Sequence, residues 1–132
     1  MLQLHLGLGD KMKYVNYDPS PERGGCIIRS FSKAFNKDYY EVKDEIELLG
    51  KKNNCSWNDD KVIEEYFSDK NISNISYNGK VTDYDYDGKY LVYCHSKDKD
   101  NYHMVCIIDN TIYDRDERVY DMYVVELYKV GE

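Results

Sequence analysis

The chain has 132 residues, of which 42% are hydrophobic, and a formal net charge of −7. This length suits one compact domain, and no apolar run approaches the roughly eighteen residues of a membrane span. The acidic residues are spread along the sequence, which argues against nucleic acid as a partner because phosphate binding needs a concentrated basic surface.

The beginning of the chain, MLQLHLGLGDK, differs in character from the remaining sequence. Its apolar part is short and lacks both a preceding basic residue and a small-residue cleavage site, which is not typical of a signal peptide. We predict that residues 1–11 are a leader or an added edge segment and that residues 12–132 form a single domain. Without an export signal, the four cysteines are expected to be reduced thiols of a cytoplasmic protein.

The first predicted helix begins at a cysteine. Apolar residues follow helical spacing from Cys26 to Phe35, directly after Gly24 and Gly25. A thiol at a helix N-terminus sees the positive end of the helix dipole, which favours the thiolate. The glycines let a substrate carbonyl approach the backbone, whose N–H groups can stabilise an oxyanion. Cys26 is therefore a candidate nucleophile, although a small buried residue at a helix start also fits this position.

Two further helices are predicted before residue 70. Asp38 and Glu41 form a variant of the capping box, and the second helix, which begins there, is predicted to end at Gly50. The third helix is predicted to begin near Asn58 or Asp59.

The second half of the chain favours strands. NISNISYNG, KYLVYCHS and MYVVELYKV are rich in β-branched or aromatic residues between turn formers, and HMVCIIDNTIYD predicts a hairpin that turns at Asp109 and Asn110. Helices followed by strands predict an α+β fold, in which N-terminal helices pack on one face of a C-terminal antiparallel sheet.

This hairpin would give the thiol a base. His103 opens the strand HMVCII, and a histidine paired with a cysteine can accept its proton and later protonate a leaving amine. A two-residue turn at Asp109 and Asn110 places Asp114 diagonal to His103 and Asp116 opposite it, on the same face. We predict that Asp114 orients the imidazole, with Asp116 in reserve.

The stretches GGCIIRSFSKAFNKDYYEV and YHMVCIIDNTIYD resemble those of papain-like cysteine peptidases. They are most similar to the compact NlpC-type branch and to small phage and bacterial proteins of that fold. The resemblance covers most of residues 12–128, but only these two blocks are specific. Gly25 stands where an acidic residue often precedes the cysteine, and Thr111 replaces the usual turn glycine.

The resemblance implies Cys26 as nucleophile, His103 as general base and acid, and Asp114 as orienting residue. Gly25 and Asn16, the nearest amide in the preceding loop, are candidates for positioning the oxyanion or the substrate. The implied function is a small thiol hydrolase of bacterial or phage-infected cytoplasm that cleaves a peptide or isopeptide bond without metal or organic cofactor. Its expected partner is a peptide or protein substrate.

Two other functions fit the same residues. An acyltransferase results when an amine outcompetes water at the acyl-enzyme, and a non-catalytic papain-fold module would bind a protein through its acidic, tyrosine-rich surface. The substrate pocket is predicted to lie among the loops at residues 50–60, 78–88 and 95–102.

Metal binding is disfavoured at two places. DYDYDG, residues 83–88, matches the first half of a calcium loop, but Cys94 occupies the position of the bidentate glutamate. A zinc site could be formed by four residues: Cys94, His95, His103 and Cys106. It is disfavoured because His103 and Cys106 are three residues apart in a strand and therefore face opposite sides.

Two polar residues near the predicted site receive simpler interpretations. His95 is expected to be a solvated loop residue, and Arg29 is expected to be a surface ion-pair partner on the first helix.

Overall fold

The computed structural model describes residues 12–22, 25–56 and 59–131. Within these ranges the chain forms six strands, three α-helices and two short 3-10 helices, the latter at Val81–Asp83 and Arg118–Asp121. The others are β1 (Lys13–Asn16), α1 (Cys26–Phe35), α2 (Tyr39–Lys52), α3 (Asp60–Phe67), β2 (Ile72–Ile75), β3 (Lys89–His95), β4 (Tyr102–Ile108), β5 (Thr111–Asp114) and β6 (Tyr123–Val130). The predicted leader, Gly24 and Asn58 lie outside the described residues.

Side-chain caps set the starts of α2 and α3. The Asp38 carboxylate accepts hydrogen bonds from the first free backbone N–H groups of α2, and Asp59 does the same for α3. Both predicted starts are confirmed. The predicted end of α2 at Gly50 is wrong, because the helix continues to Lys52 and Asn53 then bonds back to the Leu49 carbonyl. None of the described helices is long and apolar enough to cross a membrane.

The strands form one six-stranded sheet in the order β1-β5-β4-β3-β6-β2. The α+β prediction is confirmed, but the purely antiparallel sheet is not, since β1 pairs with β5 in parallel. This strand was not predicted: it has only four residues, KYVN, and no alternation of buried and exposed positions.

The central strands contribute side chains to two cores, one on each face of the sheet. The three helices cover one face, where Leu91 and Cys106 contact them. Val92 and Ile107, their chain neighbours, point to the other face and meet residues from both 3-10 helices. Each strand therefore alternates between the two cores.

The β4–β5 hairpin has the predicted register. Asp109 and Asn110 form its turn with φ values of 49° and 61°, as a type I′ turn requires. Ile108 consequently pairs with Thr111, and the pairing extends as far as Cys106 with Tyr113. β5 ends at Asp114, so the beginning of β4 extends beyond its partner.

Candidate active site

Cys26 is the first residue of α1 and is half-buried. The N-cap is Gly25, which offers no side chain to the backbone N–H groups of the first turn. The first of the i to i+4 helical bonds at this end runs from the Arg29 N–H to the Gly25 carbonyl, at 2.7 Å. The sulfur therefore lies beside N–H groups that the helix itself does not use.

His103 and Asp114 meet at the open end of the hairpin. The His103 Nε2 and Asp114 Oδ2 atoms are 2.6 Å apart, and both side chains are almost fully buried, with 2% and 1% exposed. The contact follows from the confirmed register, which places Asp114 on the same face as His103 and diagonal to it.

The Cys26 thiol completes the row of contacts. Burial raises the pKa of this thiol, but a hydrogen bond with His103, the imidazolium charge and the Met104 backbone N–H together lower it below its ordinary value. Burial lowers the pKa of the His103 imidazole, whereas hydrogen bonds with Asp114 and Cys26 outweigh this and raise it. Both shifts favour a thiolate–imidazolium pair.

The sheet leaves space for this sulfur because β5 is short. β4 and β5 pair only from Cys106 onward, so β5 does not cover the edge of β4 near Met104. The Met104 N–H is one of the groups that lower the Cys26 pKa. The start of α1 therefore takes a place that a longer β5 would fill.

Arg29 is a residue whose role the sequence analysis missed. It is buried, with 4% exposed, and its Nη2 lies 3.2 Å from Asp114 Oδ1. The predicted ion pair is confirmed, but its predicted place at the surface is wrong, because one helical turn after Cys26 the side chain points toward the hairpin rather than to solvent. A helical spacing of three from the candidate nucleophile was the available signal.

Backbone groups also fix Asp114. The Arg115 N–H donates to Asp114 Oδ1 at 2.8 Å. The backbone carbonyl of Asp114 accepts from the Tyr17 N–H at 2.8 Å and from the Tyr14 hydroxyl at 3.0 Å. The carboxylate is therefore held by α1, β4 and its own loop, whereas Tyr14 and Tyr17 hold the backbone of the same residue.

The side chains of the other predicted site residues do not contact the His103 imidazole within the described residues. Asp116 forms an ion pair with Arg118 at 2.6 Å, and this bond lowers its pKa to about 2, so it is Asp114 that contacts the imidazole. Asn16 is exposed at the end of β1, in register with Asp114, and its side chain makes no hydrogen bond to Cys26 or His103 within the described residues. Gly25 is buried immediately before Cys26.

The residues of the alternative sites, His95 and the 83–88 segment, take part in local packing and hydrogen bonds. His95 Nδ1 lies 2.6 Å from the Ser96 carbonyl oxygen and its ring stacks on Tyr123. The 83–88 segment packs at the hairpin turn, where Asp109 accepts a bond from the Gly88 N–H at 2.9 Å. Across residues 12–22, 25–56 and 59–131, no group of three His, Cys, Asp or Glu residues is arranged to hold a metal ion.

A groove of about 470 Å³ lies between α3 and the sheet, and its described lining includes neither Cys26 nor His103 themselves. Ile27 and Met104, which follow Cys26 and His103 in the chain, are part of its wall. Among the described residues, the rest of the lining comes from helices and strands, and Asp60 alone belongs to the predicted loop ranges: Asp60, Ile63, Glu64, Phe67, Asn74, Tyr93, Val125, Glu126 and Tyr128. The loop prediction is therefore largely wrong for this groove.

Comparison with known proteins adds no relative. No protein-family model, curated protein or solved structure matches the chain.

Proposed function

We propose that this protein is a thiol hydrolase that cleaves an amide bond through an acyl-enzyme on Cys26. The observation that supports it most strongly is the buried His103–Asp114 contact at 2.6 Å, together with the lowered pKa of the Cys26 thiol and the raised pKa of the imidazole, which each group causes in part in the other. A merely structural buried cysteine has the opposite shift, as Cys106 does, where burial raises the pKa to about 12.

In the first half of the reaction, the Cys26 thiolate attacks the carbonyl carbon of the substrate amide. A carbon–sulfur bond forms and the carbonyl electron pair moves to oxygen, where free N–H groups at the start of α1 can stabilise the negative charge. The tetrahedral intermediate then collapses. The carbon–nitrogen bond breaks as the His103 imidazolium gives its proton to the leaving nitrogen, and a thioester remains on Cys26.

In the second half, neutral His103 takes a proton from a water molecule that attacks the thioester carbon. The carbon–sulfur bond breaks, the carboxylic acid leaves, and the Cys26 thiolate and the His103 imidazolium are restored. Asp114 holds the imidazole through Nε2, which leaves Nδ1 for the thiol and the water. An amine that replaces this water would make the same site an acyltransferase.

The proposal includes membership of the papain-like, NlpC-type group. It is supported by the chain order of the three residues and by their elements, a helix N-terminus followed by two strands of one hairpin. The four cysteines are free thiols, which fits the reducing cytoplasm of a bacterial or phage-infected cell.

Thiol alkylation measured across pH tests the proposal. Rates of iodoacetamide labelling at each cysteine, read by peptide mass spectrometry, should show Cys26 reacting at a pH well below that of an ordinary thiol. The Cys94 thiol, whose pKa burial raises to about 12, should stay unlabelled. In His103→Ala the Cys26 profile should move to higher pH, whereas in Cys55→Ala, the matched control, it should stay in place.

A second measurement separates the alternatives. Incubation with a peptide mixture should produce a thioester adduct on Cys26 that hydroxylamine removes and that is absent in Cys26→Ala. Four ordinary thiols and no adduct would contradict the hydrolase and favour the papain-fold binding module. An adduct that turns over only with added amine would make the protein an acyltransferase.

A further inference from the structure

The groove beside the thiol combines an apolar floor with an acidic rim. Ile63, Phe67 and Tyr128 supply the floor between α3 and the sheet. Its volume of about 470 Å³ is large enough for one extended side chain and the backbone that carries it.

The charges at the rim are all negative. Asp60 and Glu64 stand on exposed positions of α3, and Glu126 faces them from β6. None of the three takes part in an ion pair within the described residues, and the described lining contains no Lys, Arg or His. Glu126 only accepts a hydrogen bond from the Asn74 amide, at 2.9 Å.

Two tyrosines in the lining report this negative potential. Burial raises the pKa of Tyr128 to about 12, and the charges of Glu126, Asp60 and Glu64 add to the effect. The pKa of Tyr93 is raised by burial and by Tyr102, and then by the charges of Asp60 and Cys26. The Tyr93 hydroxyl is therefore close enough to sense both the acidic rim and the nucleophile.

We propose that this groove binds the side chain of a lysine or arginine residue of a peptide substrate, next to the amide bond that Cys26 attacks. The inference rests on the proposed function and names its substrate class. The aliphatic stem of the bound residue lies on Phe67 and Tyr128, while its cationic group lies among the three carboxylates.

The chemistry of such a side chain matches both parts of the groove. Lysine and arginine bury a long apolar stem while the charged end stays near water, as this partly open groove allows. A cation between the three carboxylates offsets their mutual repulsion, which no ion pair relieves within the described residues. An acidic or purely apolar side chain satisfies only one of the two parts, and the acidic one is repelled by the rim.

A first test reads the potential at the thiol without requiring turnover. A trimethylammonium-bearing and a sulfonate-bearing methanethiosulfonate both convert the Cys26 thiolate to a disulfide and release methanesulfinate. The ratio of their rates depends on local charge, whereas the thiolate fraction cancels. At low salt the cationic reagent should react faster, and Asp60→Asn/Glu64→Gln/Glu126→Gln should reduce the ratio by roughly tenfold.

The matched control is Asp44→Asn/Glu41→Gln/Glu47→Gln, which removes the same kinds and number of charges from α2. It should leave the ratio close to that of the wild type. A wild-type ratio near one, or an equal change in both triple variants, would overturn the inference.

A second test uses a peptide library and identifies cleaved bonds by mass spectrometry. The wild type and the α2 control should cleave bonds flanked by Lys or Arg, and the groove variant should lose this preference while still cleaving. Cleavage without any such preference overturns the groove assignment and leaves the hydrolase intact. With no cleavage and an ordinary Cys26 pKa, the hydrolase proposal fails instead, and the reagent ratio alone decides whether the groove attracts cations.

Discussion

Asp114 is the residue on which most contacts of the site converge. Its two carboxylate oxygens contact three groups: Oδ2 the His103 imidazole, and Oδ1 both the Arg29 guanidinium and the Arg115 backbone N–H. With only 1% of its surface exposed, the side chain has little freedom to change partners. The Asp114 carboxylate both holds the His103 imidazole and favours the protonated, charged form of that imidazole.

Asp114→Asn should impair the thiol without dismantling the site. The amide keeps the shape of the side chain but loses the negative charge that raises the His103 pKa, so that pKa should fall and the Cys26 pKa should rise. We expect the alkylation profile of Cys26 to move to higher pH and the rate of amide cleavage to fall by roughly a thousandfold.

Asp116→Asn is the control for this change, because that carboxylate is held by Arg118. Its alkylation profile should stay near that of the wild type. A larger shift for Asp116→Asn than for Asp114→Asn would assign the orienting role to the wrong carboxylate.

Arg29→Met should destabilise the fold. It removes the guanidinium from the buried Asp114 carboxylate, and removal of one partner from such a pair typically costs about 3 kcal/mol. Urea unfolding of Arg29→Met, Asp114→Asn and the double variant gives a complete cycle. The double variant should lose at least about 1 kcal/mol less than the two single losses added together. Strict additivity would mean that the pair contributes nothing to stability.

Among the elements, the start of α1 is closely packed against α2. A Cβ atom on Gly25 would overlap the hydroxyl oxygen of Tyr39, which is buried and donates a hydrogen bond to Glu22 at 2.9 Å. The glycine therefore lets α2 approach the start of α1, in addition to leaving the backbone open beside Cys26.

Gly25→Ala should accordingly lower the free energy of unfolding by about 1–3 kcal/mol, as overpacking of a buried contact does. Thermal or urea unfolding measures the loss. In the Tyr39→Phe background, which lacks the overlapping oxygen, Gly25→Ala should lower stability by less than it does in the wild type. An equal loss in both backgrounds would show that the cost comes from the backbone rather than from the hydroxyl.

At this scale the sequence predicts local features well. The Asp109–Asn110 turn fixes the hairpin register, and a period of two then brings Asp114 to the side of His103. β1 could not be predicted in this way, because a short parallel strand depends on a partner almost a hundred residues away. Arg29 was misassigned for a similar reason: its spacing of three from Cys26 places it on the same side of α1 as the thiol, but does not tell that this side meets the hairpin.

The molecule as a whole is one sheet between two cores. Residues of β3 and β4 alternate between the helix-covered face and the opposite face, so each core depends on the same strands. The groove could not be predicted from sequence because its walls come from α1, α3 and four strands. Only their long-range packing brings the acidic residues together.

The shared strands predict a single cooperative unfolding transition. Ile46→Ala in the helix-side core and Ile107→Ala in the opposite core should each lower stability by about 2–5 kcal/mol, since both side chains are fully buried. Leu48→Ala, with 68% of the residue exposed, should change it by less than about 0.5 kcal/mol. Far-ultraviolet and tyrosine near-ultraviolet signals should coincide in every variant, and separate transitions would mean that the cores unfold independently.

The two-residue turn between β4 and β5 has a consequence for how such a chain can diversify. Surface connections normally accept extra residues at little cost. Here the turn type sets the register, and a register shifted by one residue would send the Asp114 carboxylate to the opposite face while both strands persist. The geometry at the closed end of the hairpin therefore decides whether His103 and Asp114 meet at its open end.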